Sequence, residues 1–253
     1  MKKISRDTLV TYLNDYLENN AIHDSSSNGL QVTGAPVISK IGLAVDASLE
    51  TYRLAVQAGC QMLIVHHGLI WNGIKYVTGR NYDHLAYLLK HNLNLFASHL
   101  PLDRHAEIGN NIQLAHLIGL KKTRRCFSYE GIDIGYRGIL STSQTVQQIA
   151  GRLAATIGGK QIILPFGKRP NKTIGIVSGG ASDMVGTAIE YGLDCFITGE
   201  SAHHNHHQAR EAGINVIYGG HYHTETCGVK ALGEQLEKRF SLQTVFIDVP
   251  TIV

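Results

Sequence analysis

The stretch Met62-Leu63-Ile64-Val65-His66-His67-Gly68 joins a short apolar run directly to two histidines and a glycine. Such a run is typical of a buried parallel strand, and open α/β sheets bind ligands where their strands end. Neighbouring strand residues point to opposite faces, so His66 and His67 share a pocket only where the strand has ended. Gly68 lets the chain turn there, and two imidazoles at such a turn more naturally bind two metals than one. The stretch therefore predicts an α/β fold with ligand-binding histidines.

Two later strand ends repeat this arrangement. His99-Leu100-Pro101-Leu102-Asp103 follows one apolar strand, and His221 and Glu225 follow the strand at 215–218. Imidazole and carboxylate ligands suit Zn, Fe, Mn, Co or Ni and exclude all-thiolate chemistry. Three strand ends with four histidines and two carboxylates predict a metal site, and spacing alone would include His99 among the ligands.

The composition excludes several other classes of protein. The chain has 253 residues, which suggests one large or two small domains. Hydrophobic residues make up 43% and charged residues 17%, so the chain is not disordered. A net charge of +3 gives no argument for binding nucleic acid or an anionic membrane. The 14 histidines favour a metal site or acid–base chemistry.

Helix and strand patterns alternate along the chain, which predicts mainly parallel sheets. The segment 40–48 matches 173–182, and 55–67 matches 188–200, with both pairs starting 133 residues apart. One offset held across a strand, a helix and a second strand indicates a structural duplication. We therefore expect two similar α/β lobes from an internal repeat, with the metal site in the cleft between them.

The basic segment Lys121-Lys122-Thr123-Arg124-Arg125 is the candidate link between the lobes. This link divides the chain into residues 1–125 and 126–253. The last predicted helix, about 225–238, and the strand at 243–249 could pack back on the first lobe.

Other sequence signals are less specific. The four cysteines form no C-x-x-C pair, the N-terminus has no apolar signal-peptide core, and no apolar run reaches 18 residues, so we expect a cytoplasmic protein. Dinucleotide-binding, P-loop and nucleophile-elbow motifs are absent. In the helix predicted over 201–212, His203 and His207 have i, i+4 spacing, but the sequence offers no third ligand. We interpret His203, His204 and His206 as mostly solvated, and the role of this cluster stays open.

Five motifs occur together and in order. Their combination resembles the Nif-three-like family, whose members are often named GTP cyclohydrolase 1 type 2 homologues. The length corresponds to the short form of that family, without an inserted domain. The motifs are Asn28-Gly29-Leu30-Gln31-Val32, His66-His67-Gly68, His99-Leu100-Pro101-Leu102-Asp103, Thr198-Gly199-Glu200, and Gly220-His221-Tyr222 with Glu225.

The resemblance implies two α/β lobes, a toroidal homohexamer and two divalent metal cations in the cleft between the lobes. One metal would be bound by His66, Asp103 and Glu225. The other would be bound by His67, His221 and the same Glu225 as a bridge. His99 would then lie beyond the ligands or transfer a proton, in contrast to what its spacing alone suggests. His207 matches a family histidine.

Two functions remain open from the sequence. The first is a metal-dependent hydrolase of a nucleotide-like or phosphorylated small molecule, for which the family name implies GTP ring opening. The second is a non-enzymatic protein that handles metal or regulates a partner. The sequence identifies neither the native metal nor a residue that would recognise guanine.

Overall fold

The computed structural model describes residues 2–252, which form an α/β fold. The strands are β1 Ile4–Ser5, β2 Gly29–Val32, β3 Val37–Ile38, β4 Lys40–Asp46, β5 Met62–His67, β6 Asn94–Ala97, β7 Leu120–Tyr129, β8 Ile132–Gln144, β9 Ile162–Pro165, β10 Asn171–Ile176, β11 Cys195–Thr198, β12 Asn215–Tyr218 and β13 Gln243–Phe246. The α-helices are α1 Arg6–Leu17, α2 Leu49–Gln57, α3 Gly79–Lys90, α4 Leu100–Arg104, α5 Asn110–Leu117, α6 Val146–Ile157, α7 Val185–Glu190, α8 Asn205–Ala212 and α9 His221–Phe240.

The chain divides into two compact units. Unit 1 runs to Leu102 and includes Val229–Val249, whereas unit 2 comprises Asp103–Gly228 and the last residues of the chain. The boundary therefore lies before α5 and not at residue 125. Residues 121–125, expected to be a link, belong instead to β7, which pairs with β8 over most of its length. Their alternation of exposed polar side chains with a paired backbone is that of a sheet edge, which the basic composition concealed.

Unit 1 is built on a five-stranded sheet in the order β13-β4-β5-β6-β2. Its strands are parallel except β2, which runs antiparallel to β6. The apolar run of β5 is fully buried, as the sequence predicts for a central parallel strand. Tyr52 of α2 and Leu88 of α3 pack in the same core.

Unit 2 is built on a six-stranded sheet in the order β7-β8-β10-β11-β12-β9. Its central strands β10, β11 and β12 are parallel, and the flanking β8 and β9 are antiparallel to their neighbours. Buried branched side chains such as Ile176 and Ile197 form its core with Leu153 of α6. The long hairpin of β7 and β8 has no counterpart in the part of unit 1 that the structure describes.

The two sheets contain the same four-strand arrangement. In unit 1 the order is β4-β5-β6-β2, and in unit 2 it is β10-β11-β12-β9, with the same strand directions. Ile41 lies opposite Met62, and Ile174 lies opposite Cys195. An offset of 133 residues relates both members of these pairs, and it also relates the bounds of β2 to those of β9. Strand register thus follows the repeat visible in the sequence.

Local signals place some helix ends well and others poorly. The Ser48 hydroxyl accepts the Thr51 amide proton at 3.1 Å and caps α2, as its position before the apolar pattern predicts. By contrast, α8 begins at Asn205 and not at residue 201. His203 therefore precedes the helix, so helical i, i+4 spacing does not relate it to His207.

The cysteines are reduced, and three of the four are buried. Burial raises the pKa of the Cys60 thiol to about 11 and that of Cys126 to about 12, so these thiols stay protonated at neutral pH. Among the residues that the structure describes, no helix is both long enough and apolar enough to cross a membrane.

Candidate metal-binding groups

Three histidines come together at one edge of the unit 1 sheet. His66 and His67 end β5, and His99 follows β6, the neighbouring parallel strand. One ring nitrogen from each lies within 4.8 Å of the others. The parallel pairing of β5 and β6 explains this proximity, because it brings their carboxyl ends to the same sheet edge.

Hydrogen bonds orient the two adjacent rings. The His66 Nδ1 lies 3.0 Å from the carbonyl oxygen of Ser98. A carbonyl only accepts, so this Nδ1 carries the proton and the neutral ring has its lone pair on Nε2. His67 Nδ1 donates in the same way to Asp46 Oδ1 at 2.8 Å. Such Nδ1 contacts orient histidine for Nε2 coordination of a metal.

His99 is held by a buried carboxylate from the N-terminal segment. Its Nδ1 lies 2.9 and 3.1 Å from the two oxygens of Asp24. Asp24 also accepts from the Asn28 amide group and from the backbone amides of Ser26 and Leu100. Burial acts to raise the pKa of Asp24, but the bonds and charge attraction of His99 outweigh it and lower the pKa to about 2. Asp24 is therefore a carboxylate at neutral pH.

Unit 2 contributes a buried aspartate. Asp103 lies in α4, and its Oδ1 accepts from the Asn110 amide group and the Ser178 hydroxyl, both at 2.9 Å. Asn110 in turn accepts the backbone proton of Gly228 at 2.7 Å. This chain of hydrogen bonds fixes the carboxylate and keeps its charge satisfied in a buried place.

Glu225 lies close to Asp103 in unit 2. A carboxylate oxygen of Glu225 lies within 4.8 Å of one from Asp103. Glu225 is almost fully buried, and its Oε2 lies 3.1 Å from His221 Nε2, one turn earlier in α9. His221 Nδ1 donates to Glu200 Oε1 at 2.5 Å. Burial acts to lower the pKa of His221, but Glu225 and Glu200 together raise it to about 9.

A glycine makes room for Glu225. Gly179 has a φ of +65°, and a Cβ there would collide with Glu225 Oε1 and lie 3.3 Å from His221 Nε2. Its carbonyl accepts backbone protons from Gly199 and Glu200. The left-handed conformation and the close approach both require glycine at this position.

The donor chemistry of both units fits divalent metals. Unit 1 offers imidazoles whose Nδ1 atoms are bound by oxygen acceptors, and unit 2 offers two buried carboxylates and an imidazole. These buried His, Asp and Glu groups suit Zn, Fe, Mn, Co or Ni, and no cysteine within residues 2–252 takes part. Two carboxylates held this close repel each other, and a cation between them would relieve that repulsion.

The structure brings the candidate residues into two sets. Sequence analysis missed the carboxylates that orient the histidines. For Asp46, its place at the end of β4 was a usable signal, whereas nothing local marks Asp24. Glu200 was noticed only as part of a motif without a role. The exposed histidines around α8 stay apart from both sets, with His204 making a loose ion pair with Asp183 at 3.6 Å.

Comparison with known proteins gives concordant results. A family model described as Duf34/NIF3 (NGG1p interacting factor 3) matches residues 4–251. Proteins named GTP cyclohydrolase 1 type 2 homolog from Archaeoglobus fulgidus and Pyrococcus horikoshii are 41% and 43% identical, over 96% and 98% of this chain and 97% and 99% of theirs. The crystal structure of TTHA1606 from Thermus thermophilus is 39% identical and superposes with a TM-score of 0.90, covering 99% of this chain and 100% of that one.

Proposed function

Because the chain belongs to the Duf34/NIF3 family, we propose that it is a dinuclear metal protein and a metal-dependent hydrolase. Its substrate is a nucleotide-like or phosphorylated small molecule. The names of the relatives favour GTP ring opening as the reaction. The observation that carries the proposal is the hydrogen bonding of His66 and His67, which prepares two adjacent Nε2 atoms as metal ligands.

The proposed ligands come from both sets. His66 and Asp103 hold one metal, His67 and His221 hold the other, and Glu225 bridges the two. This assignment rests on the resemblance of the motifs and on the donor chemistry of each unit. The buried carboxylates supply negative charge for two dications, and the histidines leave few ligands per metal, so positions stay open for water and substrate.

Bound divalent cations lower the pKa of coordinated water and polarise substrate oxygens. The protein's own groups hold and orient the ligands and move protons. Asp46 and the Ser98 carbonyl fix the rings of His67 and His66. His99, whose Nδ1 proton is bound by Asp24, accepts or delivers a proton at Nε2. Its position beside the other two rings, with a carboxylate behind it, supports this role over that of a ligand.

We further propose that the chain assembles as a homohexamer, an inference that rests on the family resemblance. A ring of six chains would present six copies of the site.

The test combines metal analysis with turnover. Protein purified without chelator should carry about two divalent metals per chain, and the loaded protein should convert one member of a nucleotide panel. Glu225→Ala should abolish that conversion. Protein that retains no metal after reloading with Zn, Mn, Fe, Co and Ni would refute the proposal. Full metal content without turnover, together with metal transfer to an apo-enzyme, would instead identify a metal-handling protein.

A further inference from the structure

Trp71, the single tryptophan of the chain, lies in the loop after β5 beside two of the site histidines. Its ring centroid is 5.0 Å from that of His99 and 6.0 Å from that of His67. The side chain is nevertheless 37% exposed. An indole that is partly open to solvent therefore borders the unit 1 metal-binding group.

Hydrogen bonds hold the indole in place. Its Nε1–H donates to the Gly68 carbonyl at 2.8 Å, and its backbone forms an isolated bridge with Ser26. The Gln31 side chain accepts backbone protons from Leu69 at 2.7 Å and Ile70 at 3.1 Å, which fixes the preceding turn. The loop is therefore organised around Trp71 before any ligand arrives, so binding a ring there would cost little ordering entropy.

We propose that Trp71 is the stacking surface for a planar heteroaromatic ring of the substrate and holds that ring beside His67 and His99. This inference rests on the proposed function and names the substrate class of the same site. An indole face stacks on any base, because every base has a π-face. Placed at the edge of the histidine group, it would bring ring atoms next to the groups that do the chemistry.

The same loop exposes Tyr76 and Val77, so cover by a second copy of the chain is the competing explanation. The contacts of Trp71 favour a small ligand. Its ring touches histidines that are oriented by Asp46 and Asp24, whereas a side chain used only for packing between subunits needs no such neighbours.

The first experiment uses the fluorescence of the single tryptophan. Wild-type protein, with and without Zn, is titrated with GTP, guanosine and inorganic triphosphate. Quenching by GTP and guanosine, with none by triphosphate, is the expected result. No quenching and no binding heat with either base-containing probe would overturn the proposal. Metal content measured on the same samples separates this failure from failure of the dinuclear site.

The second experiment compares variants by calorimetry with GTP. Trp71→Leu should raise Kd about 5- to 150-fold, the range found when base-stacking residues are removed. Trp71→Phe should retain most of the affinity, since it keeps a ring, and Zn content should stay unchanged in both. Tyr129→Leu, which removes an exposed aromatic ring from β7, is the matched control and should leave Kd unchanged. A Trp71→Leu protein that binds GTP normally but changes oligomeric state would assign Trp71 to a subunit interface and overturn the proposal.

Discussion

The Asp24 carboxylate accepts the Nδ1 proton of His99 at 2.9 Å across 75 residues of sequence. The contact ties the N-terminal segment to the strand end that follows β6. Because Asp24 also accepts from several backbone and side-chain donors, it organises the histidine and the loop before it at the same time.

Asp24→Asn should destabilise the protein by about 1–3 kcal/mol, because the new amide group would face donors that a carboxylate accepts. The effect should depend on pH. The pKa of Asp24 is lowered to about 2 in the folded protein, from an ordinary value of 3.8. Its stabilisation is therefore present above about pH 4 and lost as the pH falls through 2. Urea unfolding between pH 2 and 7 measures this, and a wild-type-to-variant difference that is constant over that range would contradict it.

Glu225→Ala should lower metal occupancy at both proposed positions, since removing the shared carboxylate leaves two dications without compensation. His67→Ala should weaken mainly the metal held with His221, and Asp103→Ala mainly the metal held with His66. Glu225→Gln keeps the shape and one oxygen but loses the charge, so it should fall between wild type and alanine. Calorimetric Zn titration checks the pattern. Loss of one metal in Glu225→Ala with unchanged affinity for the other would indicate independent sites.

Gly179→Ala should impair metal binding by displacing Glu225. The new Cβ would meet Glu225 Oε1 and would also force alanine into a φ of +65°. Gly131→Ala is the matched control, because Gly131 has a φ of +82° with nothing within 4 Å of an added Cβ. Both variants should lose about 1 kcal/mol of stability to the backbone conformation. Only Gly179→Ala should lose metal by elemental analysis, and equal metal content in the two variants would show that Glu225 tolerates the contact.

The proposed hexamer should give the mass of six chains in light scattering at micromolar concentration. A stable monomer would contradict the assembly without affecting the metal assignment. Running Trp71→Leu beside the wild type in the same experiment tests whether the loop after β5 takes part in assembly.

The α/β class, most strand positions and the three strand ends that carry the candidate ligands could be predicted from the sequence alone. Burial leaves a local periodic pattern, so β5 and its terminal histidines were readable directly. The repeat was readable too, and the register of Ile41 with Met62 and of Ile174 with Cys195 follows its offset. Predictions failed where composition competed with pairing, as at residues 121–125, which form part of β7.

The acceptors that orient the histidines could be identified only from the folded chain. Asp24 reaches His99, Asp46 reaches His67 and Glu200 reaches His221 across 75, 21 and 21 residues. Such pairs depend on strand order and register, which bring remote residues to one sheet edge, and a single sequence carries no local pattern for them. The division at Leu102 was hidden for the same reason, because it follows from which sheet each helix packs against and not from the composition of a linker.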